Sequence, residues 1–212
     1  MVTSTADPWR QRFLTLLAPW TSAAGAAPWY HALRTRYDEP QRHYHTFAHI
    51  EACLRHLDAV RPQLRKPATV ELALWFHDVI YDPRAKDNEA RSADFARSAL
   101  QACQVDSVLI AEVERLILLT CHTETPPDLD PDARYLLDID LAILGAETTL
   151  YDRYETWVRQ EYAHVPLILF RWGRKRLLRH FLSQPALYTT EHFRSQFEDQ
   201  ARLNLRRAIT AL

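Results

Sequence analysis

The stretch Leu72-Ala73-Leu74-Trp75-Phe76-His77-Asp78-Val79-Ile80-Tyr81 decides how this chain folds. It is apolar on every side, which marks a helix buried all round rather than a half-exposed one. Near its end stand an adjacent His and Asp. A carboxylate in such surroundings is costly unless it is paired, hydrogen-bonded or bound to a metal. Two further polar intrusions interrupt apolar segments: Tyr44-His45-Thr46-Phe47-Ala48-His49-Ile50 upstream and Leu137-Asp138-Ile139-Asp140-Leu141 downstream. Three such places in one short chain point to a common destination, a metal site.

The composition around that stretch favours helices. Gly numbers only 3, too few for the tight turns of a multi-stranded sheet, and the 12 Pro residues serve mostly as helix starts and stops. The 212 residues suffice for one domain with a real core. We expect a single domain over 1–212, its metal-binding part at about 40–165, with C-terminal helices 166–212 packed on it. A formal charge of −1, from 26 basic and 27 acidic side chains, gives no net field to draw in nucleic acid or an anionic membrane. The N-terminus, Met1 to Pro8, lacks the basic and apolar regions of a signal peptide, and no apolar run is long enough to span a membrane. Cys53, Cys103 and Cys121 are odd in number and lack CxxC spacing, which argues against a disulfide framework or a thiolate zinc site. The expected location is the cytoplasm, with reduced thiols.

Helical signals run the length of the chain. Pro8 opens a first helix, and a small-residue break at Thr21–Gly25 precedes a second from about Pro28 to Tyr37. Phe47, Ile50, Leu54 and Leu57 form a stripe within a helix predicted from about Gln41 to Val60, which puts His45 and His49 one turn apart on one face. The buried helix with His77-Asp78 follows. Asp87 is read as the N-cap of a helix reaching about Cys103, and Asp106 as that of the next. Thr125–Asp130 is the clearest loop; Asp130-Pro131 then opens a helix that Gly145 closes. Helices at about 148–163, 166–182 and 190–212 complete an all-α bundle, expected to hold about eight or nine helices.

Imidazole and carboxylate donors together suit Zn, Mn, Fe and similar divalent ions. His49, His77, Asp78 and Asp140 come from three predicted helices, as a site inside a bundle requires. A lone His on a helix is more often a surface or hydrogen-bonded residue than a ligand. His77-Asp78 differs, because its apolar flanks give the Asp little other reason to be there; its plain alternative is an N-cap for the next segment. Asp138 and Asp140 lie about 200° apart around a helix axis, so only one should face the metal.

With these residues in view, His49…His77-Asp78…Asp140 resembles the H…HD…D metal signature of the HD superfamily of metal-dependent phosphohydrolases. The segments Tyr44–Ile50, Trp75–Asp82, Asn88–Ala93, Leu137–Gly145 and Glu198–Leu205 are more narrowly similar to a bacterial family of predicted HD phosphohydrolases. The resemblance implies an all-helical fold and a divalent metal (Mn, Fe, Zn, Mg, Co or Ni) held by His49, His77, Asp78 and Asp140. The Asp-Leu pairing favours Asp140 over Asp138 as the last ligand, with Asp138 the alternative. Tyr44-His45-xxx-His49 also resembles cyclic-nucleotide phosphodiesterases, which makes His45 the proton donor to the leaving oxygen, although Thr46 stands where those enzymes have Asn.

Asp82 and Glu89, on the loop and the next helix start after the HD pair, are candidate catalytic residues; guanosine-tetraphosphate hydrolases of the superfamily have Glu-Asp where Tyr81-Asp82 stands, so only the Asp is retained. Their plainer readings are a turn at Asp82-Pro83 and a first-turn acid at Glu89. Binuclear members carry extra His between the HD pair and the last Asp. Here His122 alone falls in that interval, and Asn88 stands where some relatives have His, which argues against a second tight metal.

The expected activity is hydrolysis of a nucleotide or other small phosphoester, and the expected partner a small phosphorylated molecule rather than extended nucleic acid or membrane. Homodimerisation stays open. The alternatives are an HD-fold di-iron oxygenase, which needs about six protein ligands and is disfavoured by the shortage of His after His77, and a non-catalytic ligand-binding protein with a vestigial metal site, against which the full donor set argues. Arg42, or the Arg174–Arg176 part of the basic run Arg171–Arg179, could meet phosphate; a solvated helix face is the simpler reading of that run.

Overall fold

Prolines and short polar side chains punctuate this chain into helices. The computed structural model describes residues 7–121 and 128–212; His122 and residues 125–127 of the expected loop lie outside them. The described residues form ten α-helices and no strand, rather than eight or nine. Pro8, Pro67 and Pro131 each open a separate ten-residue helix, α1 (Pro8–Leu17), α4 (Pro67–Phe76) and α7 (Pro131–Asp140). Side-chain oxygens take the N–H groups that helix starts leave over. Asp7 accepts from Trp9 and Arg10 in α1, Asp106 from Leu109 in α6 (Ser107–Leu119), and Asp130 from Ala133 in α7.

Several starts and stops differ from expectation. α2 covers Ala23–Tyr37, not 28–37, because Ser22 accepts from the Gly25 N–H and turns the small-residue stretch into a first helical turn. Pro28 is tolerated inside it on the exposed side, where solvent can reach the carbonyl that loses its partner. α3 covers Phe47–Val60 and so begins well after Gln41. α5 (Asn88–Ala102) has Asp87 at its N-cap position without a side-chain bond there. Gly145 ends a 3-10 segment, Leu141–Gly145, but no glycine among the described residues has a positive φ. A Cβ at Gly145 would lie 2.6 Å from Phe197 Cβ and 2.7 Å from its carbonyl oxygen, so close helix packing demands this glycine rather than a left-handed cap.

The helices divide into two compact units: Met1–Glu39 with Ala68–Thr123, and Pro40–Pro67 with Glu124–Leu212. In the first, α4 supplies the apolar centre, with Thr69–Phe76 all buried. Phe13 meets the Trp75 ring edge-on at 5.3 Å, and the Tyr37 hydroxyl donates to the Trp75 carbonyl at 3.0 Å. Glu71 is buried in that same helix, and Arg12 pairs with it at 2.6 Å, so the charge does not stand alone. α5 and α6 pack together in this unit.

The second unit holds α3, α7, α8 (Thr148–Glu161), α9 (Leu167–Ser183) and α10 (Glu191–Ala211). α10 lies along the 3-10 segment, where Asn204 donates to the carbonyls of Leu144 (2.9 Å) and Ala146 (2.8 Å). Glu198 accepts from the Leu187 and Tyr188 N–H groups and from Arg202. The Glu198–Leu205 segment is thus a clamp on backbone. No described helix is long and apolar enough to cross a membrane.

Candidate functional site

In the second unit, α3 presents His49 and Cys53 one turn apart, and Asp140 ends α7. His49 Nε2 lies 3.3 Å from Asp140 Oδ1. Cys53 Sγ is 3.7 Å from His49 Nε2, and ligand atoms of all three residues lie within 4.8 Å of one another. They line a cavity of about 520 Å³ whose walls are mostly apolar, including Ile139, Ile143, Leu150, Trp157 and Phe197. His56 lines it too, its ring 5.5 Å from Phe197, and burial pushes its pKa down. Cys53 lacks the CxxC signature, but its four-residue offset from His49 was a signal open to sequence reasoning.

Asp138 has a different post. Its carboxylate accepts from Thr189 N–H (2.8 Å) and Oγ1 (3.2 Å) and from Thr190 N–H (2.7 Å) and Oγ1 (2.6 Å). It anchors the start of α10. Burial raises its pKa, and the four donors offset this only in part.

His45 is not on α3. It lies before the N-cap Thr46, in a turn whose backbone N–H groups at His43, Tyr44 and His45 all donate to Glu161 Oε1, at 2.8, 2.8 and 3.0 Å. A helix running from Gln41 would commit those groups elsewhere, which is why α3 starts late. Glu161 Oε2 also meets His45 Nδ1 at 2.8 Å. The Tyr44 ring packs 4.8 Å from His45, 4.9 Å from His49 and 4.6 Å from Tyr154.

Burial alone would raise the Glu161 carboxyl, but the His45 imidazole and the backbone N–H groups outweigh it and hold the pKa at about 2. A folded-state pKa depressed from 4.5 to about 2 gives stability that is present above about pH 4.5 and lost as pH falls through about 2. Glu161→Gln should remove on the order of 3 kcal/mol at neutral pH and flatten that acid dependence. Urea unfolding from neutral to acid pH checks this; equal pH slopes for both proteins would show that Glu161 is not the anchor.

The first unit carries the HD pair just past α4. His77 keeps its helical bond to Ala73 (2.9 Å), and Val79 N–H turns back to Phe76 (3.1 Å), so His77 and Asp78 occupy a turn rather than the helix. His77 Nδ1–H donates to the Leu74 carbonyl at 2.9 Å, which assigns the lone pair of the neutral ring to Nε2. Nε2 lies 3.3 Å from Asp78 Oδ2. Ser92 Oγ holds this turn by accepting from Ile80 N–H (3.1 Å) and donating to the Ile80 carbonyl (3.2 Å). Asn88 likewise grips the Asp82 backbone, at 3.0 and 2.9 Å. Asp82 is exposed and accepts from Arg84 N–H at 2.9 Å, a turn contact, while Glu89 stands in the first turn of α5.

Sequence reasoning missed Glu161, and it misplaced Arg174. Arg174 is buried and grips Glu155 through two contacts, 3.0 and 2.7 Å, with its guanidinium 5.2 Å from the Tyr154 ring centre, so it is neither part of a solvated face nor open to a phosphate. Arg42, also buried, donates to the His45 carbonyl at 3.2 Å. No known family model, curated protein or solved structure matches the chain.

Proposed function

We propose that the protein is a metal-dependent phosphohydrolase acting on a nucleotide or other small phosphoester, with His49, Asp140, His77 and Asp78 as the metal ligands. The observation that carries this reading is the His49–Asp140 pair, 3.3 Å apart, on the wall of a cavity of about 520 Å³. That volume suits an enclosed small molecule. The donors fit a divalent transition metal: imidazole nitrogen, carboxylate oxygen, and a Cys53 thiol within 4.8 Å of both. His77 supports the reading from its own unit, because a ligating His commonly donates its other N–H to a carbonyl or carboxylate, as Nδ1 does to Leu74. The H…HD…D resemblance points to the same four residues. When bound, the ion supplies Lewis acidity, polarising a phosphoryl oxygen and lowering the pKa of water.

His45 supplies the proton. Glu161 holds Nδ1–H, so the transferable proton sits on Nε2 and passes to the departing alkoxide oxygen, while the Glu161 carboxylate offsets the charge of the imidazolium. The apolar side of the cavity, with Trp157 and Leu150, would take the organic part of the ester. Asn88, committed to the Asp82 backbone, adds no imidazole for a second metal. Metal-supplemented hydrolysis of mononucleotides, cyclic nucleotides and short oligonucleotides at one salt concentration tests the proposal. Small phosphoesters should be hydrolysed fastest. No turnover with any divalent ion would overturn it, as would faster oligonucleotide cleavage that falls steeply with salt.

A further inference from the structure

We propose that α9 docks the protein reversibly on an anionic phospholipid bilayer. Among the described residues nine large hydrophobic side chains are exposed, and five lie on this helix: Leu167, Ile168, Leu169, Trp172 and Leu177. Four of them, Leu167, Ile168, Leu169 and Trp172, fall within the first six residues of the helix, with Ile168 80% and Trp172 66% exposed. At about 100° per residue, Ile168, Trp172, Lys175 and Arg179 fall on one outward stripe. Along that stripe the N-terminal end is apolar, Ile168 then Trp172, and the C-terminal end basic, Lys175 then Arg179, while Arg171 lies exposed beside the apolar end.

No Asp or Glu occurs in Leu167–Ser183. Arg174 is turned inward to Glu155, while Lys175, Arg176 and Arg179 line a shallow surface depression with Trp172. The basic charge is thus local to one face of a chain whose net charge is only −1, so the expectation of no membrane partner, which rested on net charge, does not extend to this face. Beside the stripe runs an apolar groove of about 320 Å³, lined by Val158, Tyr162, Phe170 and Leu177 among others. Gly173 borders it, and a Cβ there would meet nothing within 4 Å.

Charge decides the occupant. A second copy of α9 laid parallel would set the basic ends against each other. Laid antiparallel, it would set each basic end on the partner's apolar end. Neither arrangement offers an acid to Lys175, Arg176 or Arg179. An anionic bilayer satisfies both ends together: the Leu167–Leu169 end enters the acyl boundary, Trp172 sits at the interface, and the basic end meets lipid phosphates and carboxylates. This surface is separate from the proposed metal site, so the two readings fail independently.

Flotation of the full chain with vesicles of phosphatidylcholine, with and without phosphatidylserine, tests it. Binding should require phosphatidylserine and weaken as salt rises. I168D/W172D and K175E/R176E/R179E should each lower the partition coefficient about tenfold or more, with unchanged melting temperature since the substituted side chains point outward. Absence of vesicle binding would overturn the proposal, as would binding that neither variant weakens. A wild-type dimer in size-exclusion chromatography that I168D/W172D splits, without vesicle binding, would assign the face to a second copy instead. Capture of an acidic protein without vesicle binding would assign it to that partner.

Discussion

Asp140→Ala should lose bound metal with little change in the stability of the metal-free protein, whereas Asp138→Ala should keep the metal and lose stability. The two residues share a sequence pattern but not an environment. The Asp138 carboxylate is the acceptor for four donors at Thr189 and Thr190, and its removal leaves buried N–H and hydroxyl groups without it. Hydrogen bonds to a charged group are worth about 1.5–3 kcal/mol each, and they do not add; about 3 kcal/mol in total is the expected loss. In a chain of this length that lowers Tm by roughly 6–12 °C. Asp140 is half-buried at the mouth of its helix, facing His49. Its contribution to stability should come through the ion, which stabilises only the folded state that binds it. Metal analysis beside melting of the metal-stripped proteins separates the two roles. Loss of metal in Asp138→Ala with retention in Asp140→Ala would put Asp138 at the metal.

His45→Ala should retain its metal yet lose turnover by about 10²–10⁴-fold on alkyl phosphoesters, the usual worth of a positioned proton donor. An aryl phosphate with a good leaving group should lose far less, because its departing oxygen needs little protonation. Glu161→Gln, which keeps the shape but not the charge behind Nδ1, should fall between wild type and His45→Ala and shift the limb of the pH–rate profile set by the acid. Comparison of both variants on both substrates is the check. A His45→Ala protein that loses metal would make His45 a ligand rather than an acid.

The fold was legible where it is written locally. Asp106 and Asp130-Pro131 mark helix starts within one turn, and each side chain makes the expected cap bond. The all-round apolar run Leu72–Phe76 is buried throughout, and scarce glycine goes with an all-helical chain among the described residues. What the sequence hid depends on partners distant along the chain. α3 starts late because Glu161, 116 residues beyond His45, collects its preceding N–H groups. Asp138 and Asp140 look alike until Thr189 and Thr190 claim one of them. Gly145 reads as a helix stop, yet Phe197 is what forbids a side chain there. Arg174 looks like one more charge in a basic run until Glu155 draws it inside.

The most direct test of the proposed metal site is the metal content of protein purified without chelator, wild type against His77→Ala. The wild type should hold close to stoichiometric divalent transition metal, and the variant should stay folded while its metal affinity falls at least about 100-fold, beyond the effect of losing an outer-shell contact. Wild-type occupancy in His77→Ala, or a wild-type protein that binds no divalent ion, would contradict the account.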